Sequence, residues 1–398
     1  MTGIMSKPLV FEKPLGMHDT LPALYETKKR IRTKIASFIQ SWGYQFIETP
    51  TLEYYDTVGA ASAMLEKQLF KLLDQEGNPL VLRPDMTAPI ARVAGSSLKN
   101  AAYPLRLAYD SHLFQAQQRE GGRPAEYEQI GIELIGDGTR SADAEVIALM
   151  IAALKEAGLE NFKVAVGHVG FMNKLFLDVV GTQERAEALR KFLNEKNYVG
   201  YREHVKQLKL SSIDERRLLA LLGLRGRKET VDEAMNVIDN YESEAALKEL
   251  QSLWSILEAY DVASDVTLDL TLVRHISYYT GIVFEAYAEG LGSPLAGGGR
   301  YDELLEKFNR PAQATGFGIR LDHLIEALDG EEVEAPISCL IFTKEHQAEA
   351  IAKAKEMRER GKRVVLQDLS GVADIDALTA RYDDISFCIG KKGKENGS

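Results

Sequence analysis

Four segments of the chain carry polar side chains where a sheet would rather bury apolar ones. In Glu126 to Ile135, strand alternation puts Tyr127, Gln129, Gly131 and Glu133 on one face and Ile130, Ile132 and Leu134 on the other. The second face wants a core. The first offers an amide and a carboxylate with a gap at the glycine between them, although the solvated face of an antiparallel sheet gives the same pattern. In Leu82-Arg-Pro-Asp-Met-Thr-Ala-Pro, Asp85 and Thr87 either receive a ligand ammonium or cap the following helix, with Pro89 in its first turn. In Leu272-Val-Arg-His-Ile-Ser-Tyr-Tyr-Thr-Gly-Ile-Val-Phe-Glu, Arg274 suits a carboxylate bidentately, and Tyr278 or Tyr279 a ring or a polar tip. A surface arginine and a half-buried strand tyrosine would read alike. The fourth pair is Gly297-Gly-Gly-Arg-Tyr-Asp and Thr315-Gly-Phe-Gly-Ile-Arg-Leu-Asp-His-Leu. Its triple glycine is either a turn or a place where backbone approaches a ligand closely.

The elements that must position these residues follow from periodicity. Tyr25 to Trp42 is helical, Gln45 to Pro50 a strand, Asn78 to Pro84 a short strand, and Thr87 to Val93 a helix opening. Leu105 to Gln115 and Glu126 to Ile135 form a hairpin; Asp143 to Ala157 is an amphipathic helix and Phe162 to His168 a strand. From Thr182 to about Tyr260 the chain reads as a helical insertion, bounded at about 182–262. Strand pattern returns at Val266 to Leu272 and Thr280 to Ala288, and Leu321 to Leu328 closes with a helix. Adjacent strands mixed with helices predict an α+β core over 1–330 with a mixed, mainly antiparallel sheet. An acidic, proline-ended linker (331–336) leads to a small α/β domain, 337–398, read as strand, helix, strand, strand.

The formal charge of −11 argues against a nucleic-acid surface, which needs a local excess of Lys and Arg. Cys339 and Cys388 sit in apolar strand-like runs, and no Cys or His spacing suits a metal. Reduced, buried thiols and a cytoplasmic setting are expected. The first ten residues lack the apolar core of a signal peptide, and Val146 to Leu154, the longest apolar run, is too short to span a bilayer.

Taken in order, these segments resemble the catalytic core of histidyl-tRNA synthetase, a class II aminoacyl-tRNA synthetase. Gly16-Met-His-Asp-Thr-Leu-Pro, the Leu82-Arg-Pro-Asp-Met-Thr box, the Gln-x-Gly-x-Glu strand, the Tyr-Tyr-Thr-Gly box and Gly-Gly-Gly-Arg-Tyr-Asp all match. The resemblance spans roughly residues 14 to 330 and, more loosely, the C-terminal domain. It implies a class II synthetase-like sheet with flanking helices and a free L-histidine pocket. Asp85, Thr87 and Gln129 would take the ammonium, Arg274 the carboxylate, and Glu133 with Tyr279 an imidazole N–H; Tyr278 neighbours them.

The nucleotide half departs from the family. Its Phe-Arg-x-Glu reads Phe114-Gln-Ala-Gln here, so Gln115 and Gln117 replace the ATP-clamping arginine and its glutamate. The second clamping arginine is His323. Arg123 and Arg320 survive as candidate phosphate contacts. The C-terminal domain resembles a truncated anticodon-binding domain. This combination resembles a synthetase-like family without chemistry of its own, the regulatory subunits of short-form ATP phosphoribosyltransferase. That resemblance implies a catalytic subunit as partner, a class II-type dimer packed near residues 25 to 55 within a hetero-octamer, and L-histidine as an allosteric ligand for feedback inhibition of histidine biosynthesis. It implies no other cofactor, no tRNA and no membrane. The rival readings are an active synthetase, for tRNA or another acceptor, and a histidine sensor serving a different protein.

Overall fold

The computed structural model describes residues 12–62, 64–116, 124–238, 241–273, 278–328 and 336–390. The chain divides into two compact units, 1–330 and 331–398.

The first unit opens with α1 (Pro22–Ser41), whose Ile31, Ile35 and Ile39 recur every fourth residue and are buried together. After β1 (Gln45–Phe46) come β2 (Leu52–Tyr54), β3 (Lys71–Leu73) and β4 (Pro79–Leu82), then α2 (Thr87–Gly95). The hairpin strands are β5 (Leu105–Phe114) and β6 (Glu126–Ile135), followed by α3 (Arg140–Glu156), β7 (Phe162–His168) and α4 (Val169–Val180). The insertion comprises α5 (Gln183–Asn194), α6 (Tyr198–Gln207), α7 (Ser212–Leu221), β8 (Arg225–Gly226), α8 (Glu229–Met235) and α9 (Tyr241–Ala259). The unit closes with β9 (Val266–Asp269), β10 (Ile282–Ala288), β11 (Ala296–Arg300), β12 (Ala314–Arg320) and α10 (Leu321–Ala327).

Among the described residues one sheet runs β1-β5-β6-β12-β11-β10-β7-β9-β8. Its pairs are antiparallel apart from β1 with β5 and β7 with β9. Strand alternation sorts its faces. Ile130, Ile132 and Leu134 join the main core with α1 and α3, and α3 is buried along most of its length. The opposite face of β6 presents Gln129 and Glu133.

Three features differ from the sequence reading. The insertion is not wholly helical: β8 pairs with β9 and extends the sheet. The triple glycine is no turn. It forms β11, a strand inside the sheet, because glycine lets neighbouring chains and rings lie flat against the backbone. Strand β12, and strands β2 and β3 that flank the expected β4 in a small sheet, also escaped the sequence pattern.

The second unit holds β13 (Ile337–Phe342), α11 (Gln347–Glu359), β14 (Arg363–Asp368), α12 (Ile375–Thr379) and β15 (Asp384–Cys388). Its strands are parallel, in the order β14-β13-β15, with Leu340, Phe342, Ala350, Ala354, Val364 and Cys388 as core. Both cysteines are buried, free thiols.

Gly298 shows how tightly the glycine strands pack. A Cβ there would lie 2.0 Å from the Gly316 carbonyl oxygen and 2.7 Å from the Phe284 ring. Backbone cannot yield as a flexible side chain does, so Gly298→Ala is expected to destabilise the protein by about 1–3 kcal/mol. Urea unfolding of the full chain checks this; an unchanged midpoint would contradict the packing described.

Candidate functional site

The site is a cleft of about 550 Å³ on the polar face of β6. Strand β12 makes it possible. Gly316 pairs with Glu133, and Gly318 pairs with Gly131. A Cβ on Gly316 would stand 2.0 Å from the Glu133 carboxylate, and one on Gly318 2.4 Å from the Gln129 amide. Both polar side chains therefore lie flat across a neighbour that has none.

The gap expected at Gly131 is filled. Tyr109 of β5 pairs with Gly131, its hydroxyl sits where a Cβ would be, and it donates to Gln129 Oε1 at 2.8 Å. Glu133 is 2 % exposed. It accepts from the Thr87 hydroxyl at 2.8 Å through Oε1 and from the Tyr301 hydroxyl through Oε2. Tyr109 and Tyr301 are pocket residues the sequence reading did not assign. The alternation of β5 and the Gly-Gly-Gly-Arg-Tyr-Asp motif were the signals that could have found them.

The Leu82-Arg-Pro-Asp-Met-Thr box is held by Arg83, whose guanidinium donates to the carbonyls of Thr49 and His112 at 2.7 and 2.8 Å. Beyond it, Asp85 caps the helix and also lines the cleft, while Thr87 turns its hydroxyl to Glu133. Asp85 Oδ1 accepts the Ala88 N–H at 2.9 Å, as a helix-capping carboxylate does. Its Oδ2 is buried and makes no hydrogen bond among the described residues. Tyr278 meets Tyr279 and Tyr301 edge to face, with ring centroids 5.2 and 5.6 Å apart. The structure thus gathers Asp85, Thr87, Gln129, Glu133, Tyr278 and Tyr279 in one cleft. Arg274, Gln117 and Arg123 lie outside the described residues.

Charge distinguishes this cleft. Among the described residues no cation pairs with Asp85 or Glu133. Burial pushes the Glu133 carboxyl up to about 8, opposed by the Tyr301 and Thr87 hydroxyls and reinforced by Asp85. Burial likewise raises Asp85. Two carboxylates sharing a desolvated cleft favour a cationic guest.

The far half of the cleft is different. Gln115 donates to the Tyr127 hydroxyl at 2.8 Å. Arg320 lies over the Tyr127 ring at 4.2 Å and pairs with Asp322 at 2.9 Å. His323 Nδ1 is 3.0 Å from the Pro294 carbonyl, so it carries the proton and donates. A neutral amide, Gln115, and a histidine tied to backbone, His323, thus face this half of the cleft. Asn194, Glu195 and Lys196, from the end of α5 and the turn after it, supply one wall. Among the described residues no cluster of His, Cys, Asp and Glu could hold a metal ion, and no helix is long and apolar enough to cross a membrane.

A family model described as histidyl-tRNA synthetase matches residues 16–324. A second, described as the histidyl-tRNA synthetase HisZ C-terminal domain, matches 339–390. The ATP phosphoribosyltransferase regulatory subunit of Halalkalibacterium halodurans is 60% identical over 98% of this chain and 99% of its own length. The chain belongs to the ATP phosphoribosyltransferase regulatory subunit family. A crystal structure of an ATP phosphoribosyltransferase regulatory subunit/histidyl-tRNA synthetase from Bacillus halodurans C superposes with a TM-score of 0.92 at 60% identity, covering 97% of this chain and 100% of that one. Histidyl-tRNA synthetase from Nostoc sp. PCC 7120 shares the fold at 16% identity, with a TM-score of 0.79 over 94% of this chain and 89% of that one. The family therefore keeps the class II synthetase-like fold.

The raised Glu133 carboxyl has a sign that can be tested. Between its ordinary value of 4.5 and about 8, an unfolded chain has lost that proton while the empty folded protein keeps it. The folded state then binds more protons, so this group's contribution to stability falls as pH rises across the window. Glu133→Gln is expected to flatten that fall in urea denaturation of the histidine-free protein at pH values below and above the window. An identical pH slope in the variant would contradict it.

Proposed function

We propose that this chain is the regulatory subunit that a short-form ATP phosphoribosyltransferase catalytic subunit requires for activity, and that L-histidine in the Glu133 cleft conveys feedback inhibition. The observation that carries the reading is the pair of buried carboxylates, Asp85 and Glu133, which no cation among the described residues neutralises, in a cleft where Gln115 and His323 stand at the positions read as clamping arginines in the family. The ligand ammonium goes to Asp85, Thr87 and Gln129. The imidazole lies against Glu133 and Tyr279, and Arg274 takes the carboxylate. No cofactor and no metal take part; histidine is an effector.

An effector shifts an equilibrium only through unequal affinity for two states. A pocket freed from adenylation can serve that end without turnover. Losing one preorganised donor to developing charge costs roughly 10²–10³ in rate, so two replacements speak against the synthetase reading. Exposed Tyr25, Leu52, Tyr54, Leu72 and Leu73 support self-association near residues 25 to 55. We place that dimer within a hetero-octamer in the cytoplasm, with no role for tRNA.

The test is phosphoribosyl-ATP formation by a matched short catalytic subunit, with and without this chain, across a histidine titration. The chain is expected to activate and histidine to reverse the activation. Removing one partner of a buried charged contact costs about 2–5 kcal/mol, so Glu133→Ala should raise the half-inhibiting histidine concentration by at least about thirtyfold. No activation would overturn the proposal, and histidine-dependent ATP–pyrophosphate exchange would then show whether synthetase chemistry operates instead.

A further inference from the structure

The insertion touches the cleft by more than covalent connection. Its Asn194, Glu195 and Lys196 line the cavity. Its β8 pairs with β9, and Arg225 of β8 reaches Asp269 at 3.1 Å and the Thr271 hydroxyl at 2.5 Å.

A third connection is electrostatic and continuous. Tyr301 holds Glu133 from the floor of the pocket. The residue beside it, Arg300, is only 1 % exposed and pairs with Asp143 of α3 at 2.9 Å. Asp143 also pairs with Arg140 at 2.9 Å, and Arg140 pairs with Glu249 of α9 at 2.9 Å. Glu249 lies 3.2 Å from His168 Nε2. Because the Phe171 N–H donates to His168 Nδ1 at 3.2 Å, the ring proton sits on Nε2 and points at Glu249. The chain of pairs thus runs from the pocket floor, through α3, to the last helix of the insertion and the N-terminus of α4. Buried ion pairs add little net stability over apolar packing, whereas breaking them is costly, so they fix geometry more than they stabilise.

We propose that the helical insertion is the element through which occupancy of the Glu133 pocket is read, and that the Arg300–Asp143–Arg140–Glu249 chain couples the two, with Arg140 and Glu249 as positioning residues outside the pocket. This rests on the histidine-pocket reading above. Hydrogen exchange on the full-length chain, with and without saturating L-histidine, tests it without any catalytic subunit. In the wild type, histidine is expected to slow exchange in α5 to α9 as well as in β6 and α2. Glu249→Gln keeps shape and removes charge at a part-exposed site; Arg140→Gln is the second variant, should the first prove unstable. Each should bind histidine in calorimetry within about fivefold of wild type, the scale of a partly exposed pair, yet lose most of the protection in the insertion. Binding without protection of the insertion in the wild type overturns the proposal. So does full protection in both variants. An absence of histidine binding to the wild type is a separate outcome, seen in the calorimetry, that overturns the pocket reading and this one with it.

Discussion

Everything in the cleft turns on keeping one carboxylate out of water with, among the described residues, no cation to neutralise it. Glu133 lies flat in a slot that exists because Gly316 has no side chain, and hydroxyls of Thr87 and Tyr301 accompany its two oxygens. Two neutral donors recover only part of the hydration a carboxylate loses on burial. The remainder is stored as a raised proton affinity and as attraction for a ligand that brings its own positive charge or N–H donor. Asp85, close by and with no paired cation among the described residues, adds to that field. Amino acids with a basic ring suit such a cleft and simple apolar ones do not.

On the reading proposed above, a synthetase-like fold keeps recognition of an amino acid while giving up chemistry. Adenylation needs fixed positive charge at the phosphates, and here the far half offers Gln115 on Tyr127, His323 on a backbone carbonyl, and Arg320 committed to Asp322 and the Tyr127 ring. Those contacts hold the wall in shape and leave little preorganised positive charge facing the cavity. The amino-acid half proposed above draws on β6, β12 and α2, and the far half shares both strands, since Tyr127 lies on β6 and Arg320 on β12. The two halves differ in their side chains rather than in the elements that carry them.

Much of the site was legible in the sequence because β6 alternates without a break, so Gln129 and Glu133 had to share a face whatever surrounded them. The Asp85 and Thr87 box was legible too, and Asp85 proved to cap the helix while also lining the cleft. What the pattern hid has a common cause. Strands β11 and β12 are built on glycines, which carry neither β-propensity nor hydrophobic period. Tyr301 follows directly on β11, and Tyr109 reaches the pocket from β5 through its pairing with Gly131. β8 is two residues long inside a helical stretch, and only its partner β9 makes it a strand. The lost clamping arginines were visible only because the surrounding motifs resemble a known family.

Calorimetric titration of L-histidine into the full-length chain, beside L-leucine as a control without an imidazole, measures the central claim most directly. The account predicts saturable binding of one histidine per chain, no binding of leucine, and loss of histidine binding in Glu133→Gln. Histidine binding of unchanged affinity in Glu133→Gln would contradict it, since the ring would then be recognised by something other than the buried carboxylate.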